Sequence, residues 1–254
     1  MKLSSGAPVA ALLATAVVTV AAQPASAAQP IVRLTGDAAL TSATAAARFH
    51  VHIAFTTDTP GAPRLTLTRA TLWFPDHAGT NGRRFPSCSA AQIRSFGGDL
   101  SRCPRSSRIG GGTLRADALQ LGVDVPGRVA LFNGPGGRSI TFNIQATNPA
   151  LVNESIDAPL TPLHGGRYGE RLTLAVPHPL QEILDGIWVG LREFDVTLTG
   201  AVRGADGTTY SYLRARTCPG WEIHHSFDFR DGTSGKTASA AADARVACRD
   251  PRRR

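Results

Sequence analysis

The feature that most constrains this chain is the alternation of apolar and polar residues. A period of two fits a strand with one buried face and does not fit a helix. Phe49, Val51, Ile53 and Phe55 alternate with His50, His52 and Ala54, and the pattern recurs over 140–144, 172–176 and 194–198, with 129–132 as a further candidate. Leu65 and Leu67 begin a strand whose parity has shifted by Leu72 and Phe74, which predicts a bulge within Thr68 to Ala70. Asp206-Gly207, between Val202 and Tyr210, is a hairpin signal. Gly110-Gly111-Gly112 marks a bend or bulge entering a strand. Trp221 to Phe229 and Ala240 to Ala247 flank the turn Asp231 to Gly235 and read as a terminal hairpin. About ten short strands at this turn-rich spacing predict an all-β fold. The expected form is an antiparallel β-sandwich, jelly-roll or Ig-like, with one or two short helices, spanning 28–249 as a single domain.

Two segments depart from the pattern. Ala90 to Phe96 has a short helical pattern that Gly97-Gly98 would end. Leu180, Ile183, Leu184, Ile187, Trp188 and Leu191 fall on one helical stripe behind Pro177 and Pro179. That stripe predicts a helix closing one end of the sandwich, weakened by Gly186 and Gly190 by about 1 kcal/mol each relative to Ala.

The first 27 residues have the order of a secretory signal: Lys2, the apolar run Val9 to Ala22, then the small-residue site Ala25-Ser26-Ala27. No apolar run reaches the roughly 18 residues that span a bilayer, so no transmembrane segment is expected. The sequence therefore predicts a secreted, extracellular protein, ending in a basic tail over 250–254. The formal net charge of +8 favours anionic partners such as wall polymer or acidic polysaccharide. Lysine occurs only at Lys2 and Lys236, and the arginines are scattered without interleaved aromatics, which argues against nucleic acid.

Four cysteines in an exported chain imply two disulfides. Of three possible pairings, the terminal hairpin favours Cys218 with Cys248, leaving Cys88 with Cys103 to tie a small excursion back to its base. A four-cysteine metal site lacks any close Cys-x-x-Cys spacing.

Sites for chemistry are few. His50 and His52 share a strand face at a spacing seen in zinc sites, but nothing nominates a third ligand among His77, His164, His178, His224 and His225. The carboxylate pairs Glu193/Asp195 and Asp228/Asp231 lie on a strand and at a turn, where acidic residues serve solubility and Asx bonding. There is no Gly-x-Ser-x-Gly, Ser-x-x-Lys or His-Glu-x-x-His motif. No catalytic, metal or cofactor residues are nominated. Trp73, Trp188 and Trp221 each fit core positions, which leaves few aromatics for a sugar platform.

Phe85-Pro86-Ser87-Cys88, Cys103-Pro104 and Ser107-Arg108-Ile109-Gly110-x-Gly112 form one recognisable stretch. Cys218-Pro219, Trp221, Phe227, Phe229, Asp231-Gly232 and Cys248 form another. Together they resemble secreted, disulfide-bearing β-sandwich proteins of uncharacterised function from high-GC Gram-positive bacteria. The resemblance implies a fold and carries over no catalytic residues. The leading expectation is an exported non-enzymatic protein, a binding or structural module of the cell envelope. The competing one is a secreted carbohydrate-active enzyme of jelly-roll type, recognisable by two carboxyls about 5–9.5 Å apart in a cleft with aromatic walls.

Overall fold

The computed structural model describes residues 28–40, 46–215 and 220–249. Residues 1–27, where a leader is expected, the basic tail over 250–254 and Cys218 lie outside the described residues. In chain order the strands begin with β1 (Pro30–Leu40), β2 (Ala46–Thr57), β3 (Thr66–Pro75) and the short β4 (Ala78–Thr80). After helix α1 (Ala90–Ser95) come β5 (Arg108–Ala118), β6 (Val123–Asn133), β7 (Ser139–Ala146), β8 (Val152–Pro162) and β9 (Tyr168–Ala175). Helix α2 (His178–Gln181) leads into β10 (Glu182–Leu184) and β11 (Ile187–Leu198). The chain finishes with β12 (Ala201–Arg203), β13 (Thr209–Ser211), β14 (Leu213–Ala215), β15 (Trp221–Arg230) and β16 (Thr237–Arg249).

The strands close into a barrel, which corrects the expectation of a sandwich. Around the wall run β1, β2, β11, β5, β6, β7, β8, β9, β3, β15 and β16, eleven strands in all, and β16 returns to β1. Every neighbouring pair is antiparallel except β16 with β1, which is parallel and pairs over Asp37–Ala247, Ala38–Cys248 and Ala39–Arg249. Alternation tells which face of a strand is buried and is silent on where its edges go. Here two long-range pairings, β2 with β11 and β1 with β16, remove the free edges that an open sandwich would keep.

The inward faces carry the hydrophobic core. Phe49, Val51, Ile53 and Phe55 of β2 point into the lumen with Leu131 of β6, Phe142 of β7 and Val196 of β11. Phe49 stacks on Trp221 at 5.6 Å and Phe55 meets Phe227 edge-on at 5.3 Å, so aromatic pairs tie β2 to β15 across the intervening β1 and β16. Outward positions hold His50, His52, Asp195, Thr113 and Arg115. Apolar inside and charged outside is the reverse of a membrane-spanning barrel, and no helix among the described residues is long and apolar enough to cross a membrane.

The predicted bulge is at Thr68: Asp228 pairs with Arg69 and Phe229 with Leu67, so Thr68 is extra. A second bulge leaves Ile109 unpaired ahead of the glycine run. Val202 pairs with Tyr210 across the Asp206-Gly207 turn, and β15 pairs β16 over ten positions.

The helix expected over 180–191 is absent; one turn, α2, is followed by the hairpin β10–β11. Gly186 turns that hairpin at φ 74°. A bulge at Arg192 explains why the segment imitates a helix. Val189 and Leu191 face the lumen before it, Phe194 and Val196 after it, so the apolar spacing slips by one residue within a single strand. Of the three tryptophans only Trp221 is core, at 1% exposure. Trp73 lies half-buried against His224, and Trp188 covers Gly232 beside the α2 end of the barrel.

Candidate functional site

Residues 81–107 leave the barrel and pack on its outer wall as a small second core. Ile93 of α1, Cys88 and Cys103 cover Ala130 and Phe132, outward residues of β6. Helix α1 forms where expected, opened by a capping box in which Ser89 Oγ accepts from Gln92 N and the Gln92 side chain accepts from Ser89 N. Cys88 bonds Cys103, as the sequence predicts. Cys248 is also disulfide-bonded, and its expected partner Cys218 lies outside the described residues. Polar groups fix the excursion. Ala90 N donates to Asp157 Oδ1 at 3.0 Å and Arg94 to the Ser155 carbonyl at 3.1 Å. The Asn133 amide donates to the carbonyls of Gly82, Phe85 and Pro86 at 3.0–3.1 Å.

Between the end of this excursion and the bare wall of β5, β6, β7 and β11 lies a groove. Its basic side chains are Arg105, Arg108 and Arg128, and no carboxylate lines it. Glycine makes its floor. A Cβ on Gly110 would lie 2.1 Å from the Thr197 carbonyl oxygen and one on Gly112 1.9 Å from that of Asp195, so only glycine lets β5 and β11 coil this tightly. Arg108 extends over the floor, with Nη2 3.6 Å from the place a Gly111 Cβ would take. Gln145, Thr197 and Thr199 add neutral hydrogen-bonding groups.

On the neighbouring wall one cluster of arginines is paired with carboxylates. Asp117 pairs with Arg64 at 2.6 Å and Arg192 at 3.2 Å, while Asp124 pairs with Arg192 at 3.1 Å and Arg115 at 2.9 Å. The side-chain hydrogen bond from Arg115 holds the Asp124 carboxyl below its usual value. Arg105, Arg108 and Arg128 make no such pair among the described residues. Their sequence positions look scattered; the groove exists because β5 pairs β6, which sets Arg128 opposite Thr113, and because the disulfide returns Arg105 to the wall.

The two histidines at zinc-like spacing, His50 and His52, meet carboxylates and not a third histidine. His50 Nε2 lies 3.1 Å from Asp195 Oδ1, His52 Nδ1 3.3 Å from Asp195 Oδ2, and His50 Nδ1 3.4 Å from Asp37. No group of three or more His, Cys, Asp or Glu among the described residues is arranged to hold a metal ion. His178 pairs with Glu182 and His77 with Asp76, while His225 faces inward. Glu193 sits opposite Arg115 on the wall. Asp228 accepts from Ser239 at 2.7 Å, and Asp231 accepts from the backbone N–H groups of Thr233 and Ser234 in the terminal turn.

One polar cluster had no signal in the sequence. Arg167 binds Glu222 at 3.1 Å and Asp243 at 3.0 Å, and His224 bonds Asp243 at 2.7 Å beneath Trp73. The His224 and Arg167 hydrogen bonds hold the Asp243 carboxyl below its usual value, which suits a fixed anion and not a proton donor. Burial pushes the opposite way on Glu170, whose carboxyl is raised above the usual range. Glu170 shares a depression with Asp76, His164, Tyr168 and Arg214.

No protein-family model, curated protein or solved structure matches the chain.

Proposed function

We propose that this is an exported, non-catalytic binding protein that docks on an anionic, hydroxyl-rich polymer of the cell exterior through the groove of Arg105, Arg108 and Arg128. The observation that carries the reading is the charge of that groove: three guanidinium groups over a glycine floor, with no carboxylate lining it. A flat floor flanked by cations suits an extended chain of repeated anions better than a compact ligand, and guanidinium matches carboxylate or phosphate geometry. The leader-like first 27 residues and the disulfides support export.

Chromatography on polygalacturonate resin, with neutral dextran resin as control, tests this. The protein is expected to bind at low salt and elute by about 0.5 M, where the Debye length is only a few Å. The triple variant Arg105→Ser, Arg108→Ser, Arg128→Ser should elute at markedly lower salt. A control triple at Arg33, Arg203 and Arg245 removes the same charge elsewhere and should elute close to the parent. Equal losses in both triples would show diffuse charge rather than a groove. Salt-insensitive retention on dextran would refute the reading.

A second, hydrolytic reading rests on Glu170 alone. Burial raises the Glu170 carboxyl above its usual range, and Asp76 lines the same depression, so the two carboxyls a glycosidase needs share one surface feature. Polysaccharide cleavage that Glu170→Gln abolishes while binding persists would establish it.

A further inference from the structure

The lumen of the barrel is not full. Eight strands give an interior that side chains just fill; eleven give a wider one. A cavity of about 150 Å³ remains, and every side chain lining it is aliphatic or phenylalanine. Leu72, Phe74, Ile144, Leu174, Leu191 and Phe194 line it and are only half-buried, although they point inward. In a close-packed interior such residues lose all accessible surface, so free space runs along them. His225, on an inward position of β15, does not line the cavity, so nothing there offers a hydrogen bond.

We infer that this lumen is a binding site for a small uncharged hydrocarbon-like molecule, about the size of one benzene ring. Three observations limit the occupant. An apolar cavity of this volume stays free of water and accepts a benzene-sized guest, because water would have no partners there. A charged or strongly polar guest would lose its hydration without compensation. The volume also falls well below the roughly 300 Å³ at which drug-sized ligands begin to fit, which excludes a whole lipid.

The chain crossing from β9 to β11 supplies part of the cavity lining, and we place the entry there. Leu180 of α2 and Ile183 of β10 belong to this crossing and line the cavity. This segment is held by local polar contacts: Gln181 donates to the Val176 carbonyl at 2.7 Å, Glu182 accepts from Gly186 N at 2.6 Å, and His178 Nε2 lies 3.1 Å from Glu182 Oε2. A guest enters past it. The site is independent of the arginine groove, which lies on the other surface of the wall.

Thermal unfolding in benzene, with benzoate as the charged control, tests the inference on the intact protein. Benzene should raise Tm by mass action, by roughly 3–6 °C at tenfold over its Kd, and benzoate should not. Ala116→Leu and Ala146→Leu place added volume in the cavity and should abolish the benzene shift. Phe194→Ala enlarges the cavity and should move the preference from benzene to naphthalene. Absence of a benzene shift in the parent, or an equal shift with benzoate, overturns the proposal. So does an undiminished shift in the filled variants. Should those not fold, an unchanged size preference in Phe194→Ala overturns it equally. The groove triple variant should keep the parent's benzene shift, which separates failure here from failure of polymer binding.

Discussion

The side-chain amide of Asn133 donates to the Gly82 carbonyl at 3.0 Å, and through this contact a residue with no exposed surface holds the entry to the excursion over 81–107. The same nitrogen lies 3.0–3.1 Å from the Phe85 and Pro86 carbonyls, so its two N–H groups are shared among three carbonyls of that entry, of which that of Gly82 also accepts from Phe85 N. Asn133→Leu keeps the volume and leaves those carbonyls without the donor. Chemical denaturation should show a loss of about 2–3 kcal/mol with an unchanged slope, the cost of buried groups left unpaired.

Cys88→Ser with Cys103→Ser opens a loop of 15 residues. The chain-entropy model gives a loss of about 3 kcal/mol. Because Arg105 rides on the tethered segment, this double variant should also elute earlier from polygalacturonate, while circular dichroism retains the strand signal. Peptide mapping without reduction should recover Cys88 with Cys103 and Cys218 with Cys248; a Cys103–Cys218 peptide would contradict the pairing.

His225 has a pH signature. It is 2% exposed, its Nδ1 has no hydrogen-bond partner, and burial pushes its pKa below the ordinary 6.5. The unfolded chain therefore takes up the proton first as pH falls. Stability is whole above about pH 6.5 and declines as pH drops toward the folded-state value. Melting temperatures between pH 7.5 and 4.5 should fall more steeply for the parent than for His225→Leu. Parallel curves would mean that His225 does not titrate differently on unfolding.

Gly112→Ala should be among the most damaging small substitutions. Its methyl group would sit 1.9 Å from the Asp195 carbonyl oxygen, a backbone atom that cannot rotate away. A cost of about 1–3 kcal/mol is expected from overpacking. Gly61→Ala provides the comparison: the added methyl meets nothing within 4 Å, although φ there is +77° and carries a strain of about 1–2 kcal/mol. Thermal unfolding should place Gly112→Ala at the lower Tm.

Local chemistry was readable in the sequence where one segment determined it. Ser89 and Gln92 cap α1, Gly97 follows it at φ 67°, and Thr68 bulges where the parity of β3 changes. Closure was not readable, because nothing in β1 or β16 names the other as its neighbour; their pairing joins residues about 210 positions apart. The Leu180 to Leu191 stripe misled because a bulge at Arg192 and a turn at Gly186 disturb a period of two until it imitates 3.6. The groove was hidden for a different reason. Arg105, Arg108 and Arg128 become neighbours only through the β5–β6 ladder and the disulfide.

The parallel contact of β1 with β16 joins the first and last strands of the wall over only three residue pairs, whereas β1 pairs β2 over eleven. A chain that emerges from its N-terminal end therefore stays an unclosed sheet until residues 237–249 are present, with bare edges on β1 and β15 that invite pairing with other chains. Closure waits for a contact between residues about 210 positions apart, which makes assembly slow relative to a helical domain of this length. Loss of the last strand would not trim the barrel but turn it back into an adhesive sheet.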